Sequence, residues 1–193
     1  MWTPVRTYKR VLMVGANHCG TTTFCMRLQE KLTNHMNLPM VANPFVFSQT
    51  FGELRFDFAV HDSTLEELFL FVNVLAFFDI ILFCFALNDD RSFESVKGLY
   101  HSLQSTCIPS NRYFVGMKAD LCGNKSLPWF VSRDEAKLFS NTYCLRNYME
   151  CSSLFRTTYQ PENVMASIAL DVCNVPLSPQ AKCDFEKKVC RLE

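Results

Sequence analysis

The order of apolar and polar positions predicts strands and helices that alternate along most of the chain. The segment "RVLMVGA" (residues 10–16) is a short apolar run that ends in a glycine, as buried strands often do. The next segment, "TTTFCMRLQEKL", spaces Phe24, Leu28 and Leu32 for one face of a helix. A strand followed directly by a helix is therefore predicted at the start of the chain.

Two segments that flank residues 52–53 predict an antiparallel hairpin. They are "FVFSQTF" and "LRFDFAVHD", and in the second the apolar residues alternate with polar or small ones. Further strands are predicted at "DIILFCFAL", "RYFVGMKAD" and "NYMECSS", and further helices at "DRSFESVKGLYHSLQ", "SRDEAKLFSNTY" and "PENVMASIALDVC". Ser132 lies three residues before Glu135, which is the spacing of a capping box at a helix start. The alternation predicts an α/β fold with a mostly parallel central sheet of about six strands.

Residues 68–87 form an apolar stretch that is long enough for a transmembrane helix. Asn73 and Asp79 interrupt it, and a carboxylate is costly in hydrocarbon. We therefore expect a helix or loop up to Phe78, a buried strand after it, and no transmembrane span.

Composition narrows the class of protein. The 193 residues suffice for one domain with its own core, and 19 basic residues balance 19 acidic ones, which argues against a nucleic-acid partner. The ten cysteines are scattered, without a C-x-x-C pair or zinc-ligand spacing, and no signal-peptide pattern follows the N-terminus. These features predict a cytoplasmic protein with free thiols.

Ligands of such folds bind beyond the carboxyl ends of the strands, so the loops there are the candidate sites. In "GANHCGTT", Gly15 and Gly20 let the backbone wrap an anion at a helix start, and the Thr22 hydroxyl could bind Mg²⁺. The alternative is an ordinary strand-to-helix turn. Asp62, at the end of a predicted strand, could hold Mg²⁺ through water or could simply cap a helix.

Two later loops carry groups suited to a purine. In "GMKAD", Asp120 could accept two hydrogen bonds from a guanine edge while the stem of Lys118 covers the base. In "CSS", the backbone N–H groups of Ser152 and Ser153 could reach the purine oxygen.

In this order and spacing the motifs resemble those of Ras-superfamily small GTPases, and most of all the Rho branch, over about residues 8–173. "NLPMVANPF" resembles the Rho effector loop, and "ILFCFALNDDRSFESV" resembles the fourth strand and third helix. The resemblance implies a P-loop G domain over residues 1–173, with helices on both faces of its sheet, and a flexible tail over residues 174–193. It implies nucleotide-binding residues Gly15, Asn17, Cys19, Gly20, Thr21, Thr22, Thr23, Lys118, Asp120, Ser152 and Ser153, Mg²⁺ ligands Thr22 and Asp62, and effector-loop residues Pro39, Met40, Val41 and Phe45.

The phosphate side departs from the family pattern. Thr21 replaces the lysine that neutralises the β and γ phosphates, and Met40 replaces a threonine that joins Mg²⁺. Asn17 replaces the glycine that leaves room for an arginine finger. Leu65 replaces a glycine that meets the γ-phosphate, and Glu66 replaces the glutamine that orients the attacking water. Glu66 is therefore the one catalytic candidate, and a weak one.

Three interpretations follow. The first is a Rho-like signalling protein that binds GTP or GDP weakly or constitutively, hydrolyses little, and acts by binding effector or regulatory proteins through its switch surface. The second is a working GTP-hydrolysing switch, and the third is a structural subunit without nucleotide. Cytoskeletal or vesicle signalling follows from the resemblance alone.

The tail offers a lipidation candidate. Cys190 stands fourth from the end, as in a prenylation box, although Arg191 and Glu193 fit C-a-a-X poorly. Peripheral membrane contact through the tail is therefore an expectation that depends on Cys190.

Overall fold

The computed structural model describes residues 5–30, 44–51, 54–70, 72–104, 111–123, 131–154 and 160–173. Its strands are β1 (Val5–Gly15), β2 (Phe45–Phe51), β3 (Leu54–Thr64), β4 (Ile80–Ala86), β5 (Arg112–Met117) and β6 (Asn147–Cys151). Its helices are α1 (Thr21–Glu30), α2 (Leu65–Leu70), α3 (Asp90–Leu103), α4 (Arg133–Thr142) and α5 (Pro161–Cys173), and 3-10 helices cover Val72–Phe77 and Ala119–Gly123.

The six strands form one sheet in the order β2-β3-β1-β4-β5-β6. β2 and β3 pair antiparallel, with Phe51 opposite Leu54, and all other neighbouring strands pair parallel. The predicted hairpin and the predicted mostly parallel sheet are both confirmed.

Helices cover both faces of this sheet. On β1, Val11 and Met13 face the core that α1 and α5 complete, while Leu12 and Val14 face the core beneath α2, α3 and α4. The two-residue period of the strand therefore divides the buried side chains between two layers. The parallel strands end together at one edge, and the loops that follow them meet there.

β1 begins five residues earlier than its apolar run indicated. The added part contains Arg6 and Tyr8, whose side chains are mostly exposed. A backbone ladder to β3 holds this part, and Arg6 forms an ion pair with Asp57 at 3.3 Å. Hydrophobic periodicity cannot detect a strand segment that buries few side chains.

The apolar stretch at residues 68–87 divides as predicted. It includes the end of α2, a 3-10 helix and all of β4, every residue of which is buried. Asp79 lies just before β4, where its carboxylate accepts a hydrogen bond from the backbone N–H of Arg10 at 2.7 Å. No helix in the described ranges is long and apolar enough to cross a membrane.

Candidate functional site

The loop between β1 and α1 is a tight turn that packs against its own strand. The backbone N–H of Cys19 donates to the carbonyl of Ala16 at 3.1 Å, and Gly20 has a φ of 110°, which favours glycine. A Cβ atom at Gly15 would lie 2.5 Å from Cys19 Sγ and 2.8 Å from the carbonyl oxygen of Cys84. Glycine at position 15 thus lets the loop lie close on β1 and β4, while Asn17 is exposed on the outer side of the turn.

Thr21 begins α1 with a half-buried side chain that folds back over this loop. Its methyl carbon lies 3.1 Å from the position that a Cβ at Gly15 would take. Burial raises the pKa of the Cys19 thiol, and hydrogen bonds from the amide and hydroxyl of Thr21 partly offset that rise. The position of the family's lysine is therefore filled by a short neutral side chain that interacts within the loop.

The two candidate Mg²⁺ ligands lie together. The Thr22 hydroxyl donates to the Asp62 carboxylate at 2.5 Å, because β3 runs beside β1 and brings residue 62 to the start of α1. β3 continues to Thr64, so Asp62 lies within the strand and does not end it as predicted. Strand β3 is longer than its apolar alternation because its last residues keep pairing with β1.

This oxygen pair suits Mg²⁺, which usually takes one or two protein ligands and completes its shell with phosphates and water. No group of three or more His, Cys, Asp or Glu side chains in the described residues could hold a metal ion by itself. Thr22 and Asp62 therefore fit a Mg²⁺ that arrives with a nucleotide and do not form a separate metal cage.

A short hydrogen bond joins the loops after β5 and β6, which carry the predicted base-contacting residues. β5 ends at Met117, Lys118 adopts a φ of 60°, and Asp120 follows in a 3-10 helix. The hydroxyl of the buried Ser152 donates to the Asp120 carboxylate at 2.6 Å. An ionised carboxylate accepts about four hydrogen bonds, so Asp120 keeps acceptor capacity for a base edge.

A cavity of about 110 Å³ joins the two sides of the site. It is lined by Cys19, Gly20, Thr23, Met117, Lys118, Asp120, Leu121, Ser153 and Leu154. The structure thus brings together the first loop, the base loop after β5 and the loop after β6. Leu121 and Leu154 had not been predicted as site residues, and Leu154 is 68% exposed. Their position beside predicted base-contacting residues was the only signal in the sequence.

The segment after Asp62 forms a capped helix. The backbone N–H of Thr64 donates to the Glu67 carboxylate at 2.9 Å, and the Glu67 N–H donates to the Thr64 hydroxyl at 3.2 Å. This is a reciprocal capping box at the start of α2. Glu66, the catalytic candidate, is exposed in the first turn of this helix.

A larger cavity of about 600 Å³ lies beneath α2, away from the base loops. Leu12, Leu68 and Leu75 are among its apolar lining residues, and Asp62 and His61 are among its polar ones. Burial, and then the charge of Arg10, lowers the pKa of the His61 imidazole. Asp62 therefore borders this cavity, and its carboxylate also accepts the hydrogen bond from the Thr22 hydroxyl.

Part of the predicted effector loop cannot be placed. Pro39, Met40, Val41 and the tail with Cys190 lie outside the described residues. Phe45 opens β2 and its side chain is only 5% exposed, so that side chain belongs to the core.

Comparison with known families agrees with this architecture. The sequence model described as the Ras family matches residues 10–173, from β1 to the end of α5. No curated protein sequence matches the chain significantly.

Proposed function

The chain belongs to the Ras family of small GTPases, and on that premise we propose that it is a Rho-like member that binds GTP or GDP weakly, hydrolyses little or none, and signals by binding effector or scaffold proteins. The observation that carries this proposal is Thr21, with its neutral side chain folded over the loop. Family members bind guanine nucleotides and typically Mg²⁺.

The replacement of the family's lysine by Thr21 is the reason that we propose a weak affinity for nucleotide. A hydrogen bond to a charged group contributes about 1.5–3 kcal/mol, which corresponds to roughly 10- to 150-fold in affinity. The charge of Lys118 does reach the Cys19 thiol, where it lowers the pKa slightly. Since Lys118 belongs to the base loop, we expect it to cover the base and to replace the missing lysine poorly.

The base side supports retained nucleotide binding. The Ser152 hydroxyl donates to the Asp120 carboxylate, and Asp120 lines the same cavity as Lys118. The Thr22–Asp62 pair supplies the oxygens that a nucleotide-bound Mg²⁺ would use. These groups favour a nucleotide-binding protein over a structural subunit without nucleotide.

The segment after β3 supports slow hydrolysis. Glu66 is exposed, and a carboxylate at that position would repel the γ-phosphate charge. Its neighbour Glu67 is committed to the capping box with Thr64. Asn17 adds a side chain where a stimulating arginine would have to enter. We therefore propose that this segment senses the third phosphate poorly.

The surface next to this segment is the proposed docking region for effector or regulatory proteins. Val46 on the edge strand β2 is 55% exposed, and Phe77, the last residue of the 3-10 helix after α2, is 59% exposed. We propose that the protein is cytoplasmic and that any peripheral membrane contact uses the tail at Cys190. The Rho-like assignment and its cytoskeletal setting depend on the sequence resemblance.

The nucleotide content of the purified protein tests the proposal. Nucleotide released by heat denaturation is resolved by chromatography, and binding of GDP and GTP with Mg²⁺ is measured by calorimetry beside phosphate release. We expect a substoichiometric amount of guanine nucleotide and negligible phosphate release. Asp120→Asn serves as the variant that should lose guanine binding while the fold persists.

The alternatives give different results. Bound GDP with measurable turnover would establish a working switch, and the proposal would be wrong. No nucleotide, even at high GTP concentration, would identify a structural subunit.

A further inference from the structure

The cavity of about 600 Å³ beneath α2 has an apolar floor. Leu12, Leu68 and Leu75 line it, and each of these side chains is at most 4% exposed. Phe77 lines the same cavity, yet its side chain is 59% exposed. Ligand pockets commonly have volumes of about 300–1,000 Å³ and predominantly apolar walls. The cavity therefore has the size and lining that would bury an aromatic side chain.

The polar groups of this cavity differ in how far the protein already uses them. The Asp62 carboxylate accepts from the Thr22 hydroxyl, and the Glu67 carboxylate belongs to the capping box of α2. The Arg10 guanidinium lies 3.7 Å from the Asp79 carboxylate, its side chain is 45% exposed, and a guanidinium has five N–H donors. Arg10 can therefore bind a further carboxylate at the rim of the cavity.

The tail carries an aromatic side chain between two carboxylates. Residues 174–193 lie outside the described residues, and Phe185 is the one aromatic residue in their sequence. Asp184 and Glu186 stand directly before and after it. An aromatic ring flanked by negative charge complements an apolar cavity with an exposed arginine at its rim.

The tail also starts close enough to reach the cavity. Asp171, in the last turn of α5, accepts a hydrogen bond from Tyr113 at the start of β5. Arg10 is level with the start of β4, since its carbonyl accepts from the Asp79 N–H at 2.9 Å. Two strand spacings of about 4.8 Å separate β5 from β1, and passing from the helix layer on one face to the other adds roughly 20 Å. Residues 174–185 span up to about 40 Å when extended, which covers this path.

We propose that residues 184–186 dock on this cavity, with the Phe185 ring among the leucines and a flanking carboxylate paired with Arg10. This inference rests on the proposed docking region for effector or regulatory proteins, because the cavity and the exposed Phe77 belong to that surface. A short tether gives the segment an effective concentration in the millimolar range, so a contact that is weak between separate molecules forms within one. The tail is then an internal competitor that a partner must displace.

A photoreactive side chain locates the docked segment. The purified protein carries p-benzoylphenylalanine in place of Phe185, is irradiated, and its crosslinks are mapped by mass spectrometry. We expect crosslinks within one molecule to residues 61–78, which include most of the cavity lining. The same photoreactive residue in place of Leu177, an apolar tail residue without charged neighbours, is the matched control and should give far fewer crosslinks there.

Competition measures the strength of the contact. A fluorescent peptide of residues 180–193 is titrated with the wild type and with Phe185→Ala, and its anisotropy gives the dissociation constants. Because Phe185→Ala leaves the cavity open in the whole protein, this variant should bind the peptide about three- to tenfold more tightly than the wild type.

A charge variant tests the role of Arg10. Adding Arg10→Gln to Phe185→Ala should weaken peptide binding by about two- to fivefold, since it removes a partly exposed ion pair. Arg6→Gln in the same background is the control, because Arg6 is an exposed arginine of the same strand outside the cavity lining. It should leave the dissociation constant unchanged.

Crosslinks between two molecules would identify a second copy as the occupant and would overturn the inference. Equal peptide binding by the wild type and Phe185→Ala would do the same, as would equal crosslinking from positions 177 and 185. None of these results changes the nucleotide content of the purified protein, so the proposed function is judged separately.

Discussion

Thr21 differs from a lysine in length as well as in charge. Its side chain turns toward Gly15 and forms a hydrogen bond with Cys19. Contacts within the protein therefore stabilise the loop between β1 and α1. A lysine at the start of α1 would extend beyond this contact and place a cation over the anion-binding turn, where the helix dipole also favours negative charge.

Thr21→Lys is therefore expected to raise affinity for GDP by at least about tenfold, because it restores a charge-assisted contact. Hydrolysis should stay negligible, since Glu66 and Leu65 are unchanged. Calorimetry measures the affinity and phosphate release measures the turnover. Thr50→Lys adds the same charge at an exposed position on β2 and is the control. Equal gains in both variants would mean that the loop is not arranged as a phosphate cradle.

The packing of Gly15 gives a second prediction at this scale. A methyl group there would overlap Cys19 Sγ and the Cys84 carbonyl oxygen, so Gly15→Ala should lower the free energy of unfolding by about 1–3 kcal/mol. Gly98 lies exposed within α3, and a methyl group added there would meet no atom within 4 Å. Gly98→Ala should raise the free energy of unfolding by about 0.5–1 kcal/mol.

Urea denaturation of both glycine variants measures these changes. A Gly15→Ala protein as stable as the wild type would show that the loop can move away from β4 at no cost.

At the scale of the element, α2 owes its start to two side chains of its own segment. The Thr64–Glu67 capping box involves no group of the nucleotide site, so the helix start does not require a phosphate. Because its own cap orders the start of α2, the conformation of this helix should depend little on which nucleotide is bound.

Thr64→Ala tests this cap. Loss of an N-cap side chain costs about 0.5–2 kcal/mol, so backbone amides within residues 65–70 should exchange with deuterium roughly 2- to 30-fold faster. In the wild type their exchange should be the same with GDP and with a GTP analogue. Ser132→Ala removes the corresponding cap of α4, where Ser132 accepts from the Glu135 N–H at 3.1 Å, and should affect α4 only. Nucleotide-dependent protection of residues 65–70 would contradict the interpretation.

Elements with a buried apolar pattern were predictable from the sequence. The run before α3 predicted β4, and the spacing of Ser132 and Glu135 predicted the start of α4. The capping box "TLEE" carries the same signal, but α2 has only six residues and its second half runs into the apolar stretch at residues 68–87, so its pattern did not separate a helix from a loop. The first half of β1 was missed because Arg6 and Tyr8, which are mostly exposed, interrupt the apolar pattern there.

The sequence predicted the parts of the site that the order and direction of the strands alone bring together. Parallel strands bring the loops after β1, β5 and β6 to one edge, which places Thr22 near Asp62 and Asp120 near Ser152. The lining of the small cavity by Leu121 and Leu154 depends on how side chains pack in three dimensions. No sequence pattern reports such contacts.

At the scale of the whole molecule, the core contains many groups that must stay neutral. Burial raises the pKa of the thiols of Cys25, Cys84 and Cys151, and it raises the pKa of Tyr113, whose hydroxyl also donates to Asp171 at 2.5 Å. Folding therefore suppresses several ionisations that the unfolded chain undergoes freely.

The free energy of unfolding should therefore fall at alkaline pH. A pKa that is raised in the folded state leaves stability intact below the ordinary value, near pH 9 for thiols, and removes it as the pH rises further. We expect the free energy of unfolding to be flat between pH 7 and 8.5 and to decline above pH 9, by about 1.4 kcal/mol per pH unit for each thiol involved. Urea titrations under reducing conditions measure the slope.

Two cysteine variants identify the groups responsible. Cys84→Ala should lower stability at pH 7 and make the alkaline decline less steep, because one buried thiol no longer ionises on unfolding. Cys144→Ala removes an exposed thiol and should leave the slope unchanged. A wild-type protein whose stability does not change up to pH 10.5 would refute the argument.

The central position of β1 has a consequence for biosynthesis. β1 is made before both strands that flank it in the sheet, and Ile80, the partner of Val11 in β4, follows roughly 70 residues along the chain. At 5–20 residues per second the ribosome needs roughly 4 to 14 seconds to reach that partner. During this interval the apolar segment at residues 11–14 lacks its β4 partner on one edge, even after β3 has been made on the other, so we expect the nascent chain to be a client for chaperones that shield hydrophobic segments.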